Sequence, residues 1–133
     1  MPKALPSFTL THTFQATPAE VFEALTSSKA LAEWSGEGSV SKKVGGAFNM
    51  FDGWVEGKVL AYKPGKELAY TWKTTEWPKE WEPSEVRYIF TATKTGTKVT
   101  LTHTNLPNVK EAKDHKSGWA EHVFEPLAAF LAD

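Results

Sequence analysis

Apolar and polar positions alternate strictly at the start of the chain. From Phe8 to Gln15 (FTLTHTFQ), Phe8, Leu10, His12 and Phe14 fall on one face, and Thr9, Thr11, Thr13 and Gln15 on the other. A period of two in a segment rich in Thr and Phe predicts a half-buried strand. The pattern then changes. Thr17-Pro18-Ala19-Glu20 reads as a helix start: Thr17 is the N-cap, Pro18 stands where a missing N–H costs nothing, and Glu20 closes a capping box. A short helix with Val21, Phe22 and Leu25 on one face ends near Thr26-Ser27-Ser28, and a second, Lys29 to Trp34, carries Leu31 and Trp34. Helices this short are marginal alone, so both must lie on a sheet.

From Ser35 to Asn105 the pattern is strand and turn. Gly45-Gly46 precedes Ala47 to Phe51, and Asp52-Gly53 signals a type I′ hairpin into Trp54 to Tyr62. Pro64-Gly65 turns the chain. Leu68 to Thr74 then places Leu68, Tyr70 and Trp72 on one side. After the Trp- and Pro-rich connection Glu76 to Pro83, Ser84 to Thr93 puts Val86, Tyr88 and Phe90 on one face. A turn at Gly96 leads to Lys98 to Thr104, with Val99, Leu101 and His103 together. The last segment is helical, capped by Asn108 with Glu111. At 100° per residue, Val109, Ala112, Trp119, Ala120, Val123, Leu127, Phe130 and Leu131 share an apolar arc. Lys116 falls inside it and needs its stem along the sheet and its ammonium in water. Pro126 removes one helical hydrogen bond and predicts a bend.

The order is thus one strand, two short helices, about six antiparallel strands and a long closing helix. That helix must bury its stripe against the sheet. The expected fold is α+β, a single domain over residues 1–133, in which a curved antiparallel sheet of six or seven strands wraps the helix. Such an arrangement often leaves a cavity between helix and sheet.

Composition narrows the function classes. The chain has 133 residues, 15 Lys and Arg against 16 Asp and Glu, six Trp and no Cys. Disulfide scaffolds, thiolate zinc sites and cysteine nucleophiles are excluded. A net charge of −1 argues against nucleic-acid affinity, which rests on surplus Lys and Arg. The longest apolar run, Leu127 to Ala132, falls far short of the ~20 residues of a membrane-spanning helix. No basic-then-apolar leader opens the chain, so a cytoplasmic location is expected. Gly36-Glu37-Gly38 is the nearest approach to a phosphate loop, but it carries an acid and no helix follows.

Four stretches carry a resemblance: Ala16 to Thr26 (ATPAEVFEALT), Gly45 to Gly57 (GGAFNMFDGWVEG), Pro64 through Tyr70, Trp72 and Trp77-Pro78, and Gly118-Trp119 with Phe124. In this order and spacing the chain resembles the family homologous to the activator of heat-shock protein 90 ATPase. That family lies within the START-like (SRPBCC, helix-grip) superfamily. The match runs from about Leu10 to Phe130 and is nearest the C-terminal domain of the eukaryotic co-chaperone. The co-chaperone's separate N-terminal domain makes the main chaperone contact, and this chain has no room for it. The resemblance implies a helix-grip fold. It also implies one of several roles: binding lipids, sterols or polyketides, acting as a cyclase, or assisting a chaperone in the stress response. Fold alone does not choose among them.

The expected function is a non-catalytic binding domain, either for a small apolar ligand or as a co-chaperone-like partner of a heat-shock protein 90-type chaperone. The chain is expected to be a monomer or weak dimer with no cofactor. Phe48, Tyr70, Trp72, Tyr88, Phe90, His103, Trp119 and Phe124 should face the interior. They would either line a ligand cavity, with the Tyr hydroxyls, the indole N–H and the imidazole orienting the ligand, or simply fill a core. Trp54, Trp77 and Trp81 stand in turns, where a large apolar residue marks a lid, a partner-binding patch or a staple folded back on the sheet.

The alternative is a cyclase or hydrolase using a cavity histidine. His12 and His103 sit on neighbouring strands and would work as acid and base if they lay together in a pocket. No third group at suitable spacing completes a nucleophile–base–orienter set. His115 and His122 are seven residues apart rather than the four that lets two imidazoles share a metal, so both read as surface residues and no metal is expected.

Overall fold

The structure is a computed structural model that describes residues 6–132. Seven strands form one antiparallel sheet: β1 (Phe8–Phe14), β2 (Ser39–Val40), β3 (Ala47–Met50), β4 (Val55–Lys63), β5 (Glu67–Thr74), β6 (Ser84–Ala92) and β7 (Thr97–Thr104). Their spatial order is β1-β7-β6-β5-β4-β3-β2, so the first and last strands in sequence are neighbours. Two short helices, α1 (Pro18–Thr26) and α2 (Ser28–Trp34), join β1 to β2. A closing helix follows as α3 (Val109–Gly118), a π-helical segment (Trp119–Phe124) and α4 (Glu125–Ala132). The fold is α+β, a curved sheet gripping a C-terminal helix, as the sequence predicts.

Local chemistry explains the boundaries. Both arms of the capping box form: the Glu20 N–H donates to Thr17 Oγ1 at 3.2 Å, and the Thr17 N–H to Glu20 Oε1 at 2.9 Å. Thr17→Ala should cost about 1 kcal/mol in a urea titration without moving the fold; no loss would show that tertiary packing alone sets this helix start. Ser27 ends α1 and caps α2, which begins one residue earlier than expected, through a bond from the Ala30 N–H. The Trp34 indole donates to the Ala24 carbonyl at 2.8 Å and fixes the two helices together. In β4 and β5 the ladder is irregular, and a Cβ on Gly57 would collide with the Thr71 carbonyl, so only glycine allows this approach.

Two expectations need correction. The β3–β4 turn is not centred on Asp52-Gly53. The Gly53 N–H bonds back to the Met50 carbonyl, and Phe51 and Asp52 take the positive φ values of 54° and 58°. The turn therefore slides back one residue and lifts Phe51 out of the strand. Asp52 holds it there: its Oδ1 accepts from the Glu37 N–H, and its own N–H donates to the Glu37 carbonyl. These two bonds compensate a left-handed backbone at two non-glycine residues.

The closing helix is also not one regular α-helix. Its buried stripe is His115, Trp119, Val123 and Leu127, one residue in four, with Phe124 beside it. Over those twelve residues an ideal α-helix would carry the stripe roughly 120° off the sheet; absorbing one residue in a wide turn leaves about 20°. The π segment provides that turn, with the Glu125 N–H bonding to Ala120 five residues back. It also relieves the crowding that the Pro126 ring would impose on the carbonyl four residues earlier. The predicted bend thus takes the form of a widened turn. Val109 (62% exposed), Ala120 and Lys116 lie outside the buried face, so the arc drawn at a constant 100° was rotated.

Candidate functional site

Inward-facing residues of β5, β6 and β7 meet the stripe of the closing helix in a buried polar network. On β6 the period of two puts Ser84 on the same face as Val86, Tyr88 and Phe90, and Ser84 is fully buried. Its Oγ lies 2.8 Å from His103 Nε2 on β7 and 2.8 Å from the Trp72 carbonyl on β5. From the helix, the Trp119 indole donates to His103 Nδ1 at 3.0 Å. The Trp72 indole donates to His115 Nε2 at 3.1 Å, and His115 Nδ1 lies 2.9 Å from the Glu111 carbonyl. The two imidazoles stand 5.3 Å apart and nearly perpendicular.

Donor accounting assigns the protons. An indole N–H only donates, so His103 Nδ1 and His115 Nε2 are bare acceptors. His103 is then protonated at Nε2 and donates to Ser84, whose hydroxyl donates onward to the Trp72 carbonyl. His115 is protonated at Nδ1 and donates to Glu111. Both rings are neutral and both nitrogens of each are occupied. Burial pushes His103 down to about 3, and the neighbouring His115 adds to this. Burial lowers His115 too, against the Glu111 carbonyl and the carboxylates of Glu111, Asp114 and Glu76, which raise it. Ser84 and His103 are therefore not a nucleophile and its base: the imidazole donates to the hydroxyl instead of accepting from it.

The other tyrosine-lined part of the interior is packed. Tyr70 and Tyr88 share a 2.5 Å hydrogen bond, and Phe48 stacks on Tyr70 at 3.6 Å. Burial raises both phenols above their ordinary value. Phe90 packs on Phe22, and Phe124 on Phe14 and His12.

Beside this network a half-open cleft of about 400 Å³ separates the β3–β4 hairpin from α3 and the π segment. Phe51 and Trp54 form one wall, Trp72 and Trp119 the floor, and His115, Glu111, Glu76 and Glu121 stand around it. Of the eight residues expected to line a cavity, Trp72 and Trp119 border the cleft. Phe48, Tyr70, Tyr88, Phe90, His103 and Phe124 pack behind it. Trp54, expected at a partner-binding surface, is a cleft wall. Trp77 is only 7% exposed; its indole donates to Glu111 Oε1 at 3.0 Å and staples the loop to α3, and Trp81 packs on it at 6.0 Å. The loop is therefore folded back on the domain.

The histidine expectations change most. His12 lies opposite Val99 and His103 opposite Phe8, four residues apart along the ladder, so the two do not pair. His103 pairs instead with His115, which is 9% exposed and not a surface residue; His122 is exposed at the cleft mouth. Among the described residues no three His, Cys, Asp or Glu side chains converge as a metal site. Ser84 and His115 are the two members of the network that the sequence reading does not place in the interior. The parity of β6 would have found the first, and the spacing of four from Glu111 and Trp119 the second.

The profile of the family described as activator of Hsp90 ATPase homolog 1-like protein matches residues 15–132. The chain belongs to this family. The mouse activator of 90 kDa heat shock protein ATPase homolog 1 is 25% identical over 120 residues, 90% of this chain but 35% of that protein. The chain thus spans about a third of the length of the curated relatives it matches. Among solved structures, an HSP90 activator from Plasmodium falciparum superposes with a TM-score of 0.84 at 27% identity, covering 95% of this chain and 96% of that one. A Mesorhizobium loti protein gives 0.82 at 26%, covering 96% and 97%. In this member of the Hsp90-activator family the helix-grip interior is largely filled, and the remaining opening lies at the hairpin side of the helix. No helix among the described residues is long and apolar enough to cross a membrane.

Proposed function

We propose that this chain is a non-catalytic binding domain that engages an Hsp90-type chaperone and raises its ATPase turnover. The observation that carries the reading is the interior hydrogen-bond accounting. Both nitrogens of His103 and of His115, and the Ser84 hydroxyl, are committed to structural partners, and no buried side-chain polar atom among the described residues lacks one. A cyclase or hydrolase using a cavity histidine needs that imidazole free at a substrate, and His103 lies behind the cleft with both nitrogens engaged. The likeness to a solved HSP90 activator over nearly the whole of both chains supports the partner class, because that solved chain is matched almost from end to end.

The test is the steady-state ATPase rate of a purified Hsp90-type chaperone, alone and with this protein in molar excess. An increase in turnover that saturates with added protein is expected. No increase, together with no binding by analytical ultracentrifugation, would remove the reading.

A further inference from the structure

The cleft has a chemistry that an apolar ligand leaves unused. Its walls are aromatic: the Phe51 and Trp54 rings meet at 74° with centroids 6.2 Å apart, and Trp54 meets Trp72 at 79° and 6.3 Å. Rings at near right angles offer π-faces from two directions, the arrangement that holds an organic cation. Its rim is acidic. Lys110 and Asp114 neutralise each other at 2.9 Å. Among the described residues, Glu76, Glu111 and Glu121 have no Lys or Arg within ion-pair distance; the neutral His115 lies 3.6 Å from Glu111, and Lys110, which also feels Glu111, is bonded to Asp114. Four carboxylates, Glu76, Glu111, Asp114 and Glu121, thus border one opening against the single lysine Lys110, in a chain whose formal net charge is only −1.

We propose that this cleft binds a small organic cation with an apolar body, its ammonium held between Trp54 and the carboxylates of Glu111, Glu76 and Glu121. The volume suits one small molecule. A fatty or aromatic acid would be repelled by the rim. A neutral apolar ligand would strip water from carboxylates and return nothing to them. A cation gains from both the ring faces and the charges. His115 does not compete for that place, because its bare nitrogen already accepts from Trp72 and its N–H is held by Glu111. The site is independent of chaperone stimulation, and either can fail without the other.

Three probes of similar shape separate the possibilities: trimethyl(3-phenylpropyl)ammonium, 4-phenylbutan-1-ol and 4-phenylbutyrate, each titrated into the full chain by calorimetry and followed by Trp fluorescence. The cation should bind roughly tenfold tighter than the alcohol, in line with a desolvated cation–π contact plus charge, and the acid should bind least. Added salt should weaken the cation alone. Trp54→Leu and Glu111→Gln should each lower its affinity about fivefold or more. Glu121→Gln replaces Glu111→Gln as the readout if loss of the Trp77 staple disturbs folding. Equal affinity for cation and alcohol, preference for the acid, an affinity unchanged by every substitution, or no binding of the cation would each overturn the proposal.

Discussion

The protein should lose stability steadily as the pH falls below about 6.5, well before its carboxylates begin to protonate. The cause is His103. In the unfolded chain its imidazole takes up a proton near 6.5. In the folded chain burial holds it neutral down to about 3. The unfolded state therefore binds the extra proton throughout that window, and acid favours unfolding. His103's contribution is fully present above 6.5 and is lost as the pH drops toward 3. The slope is about 1.4 kcal/mol per pH unit for one such group, so about 2 kcal/mol is gone by pH 5. His115 acts in the same direction, moderated by Glu111, Asp114 and Glu76. Urea unfolding at a series of pH values between 7.5 and 4.5 measures the effect. His103→Gln keeps a polar, non-titrating side chain and should flatten the profile by one proton's worth. A wild-type profile level from pH 7.5 to 5 would contradict the buried neutral pair.

Trp119→Ala should be the most damaging single change. Trp119 is 2% exposed and touches Trp72, Tyr88, His103 and Phe124 with centroid distances from 5.0 to 6.4 Å. Truncating a buried aromatic costs about 3–5 kcal/mol. The lost indole N–H leaves His103 Nδ1 a buried acceptor with no donor, for about 1–3 kcal/mol more. Against a typical total of roughly 5–15 kcal/mol, that removes most of the stability. Trp119→Phe restores packing but not the donor and should fall between. Chemical denaturation ranks the three, and a Trp119→Ala protein within about 1 kcal/mol of wild type would show that the network is not what fastens helix to sheet.

Much of this arrangement was legible from strand parity. The period of two put Tyr70, Trp72, Tyr88, Leu101 and His103 on inward faces, and all are buried. The capping box was legible because it is written within four residues. Two things were hidden. A helical wheel at 100° per residue assumes uniform winding, and the π segment breaks that assumption just where the stripe crosses the sheet, so His115 was placed outside. The fate of Trp77 depends on Glu111, 34 residues away, and Phe51 reaches the cleft only because Asp52 finds the Glu37 backbone 15 residues upstream. Such pairings between distant loops leave no periodic trace. The same holds for His12, whose proximity to His103 depended on a strand register that alternation alone does not specify.

The hairpin tip is moored to the segment after α2, through both bonds between Asp52 and Glu37. The opposite jaw of the cleft, the α3 end of the closing helix, is moored to β7 through the Trp119–His103 bond and to the β5–β6 connection through the Trp77–Glu111 link. The two jaws therefore hang from separate anchorages, like the arms of a calliper. Their gap is set by how the anchorages sit on the shared sheet, with Trp54 and His115, ring centroids 6.4 Å apart and planes inclined by 24°, as the feeler surfaces.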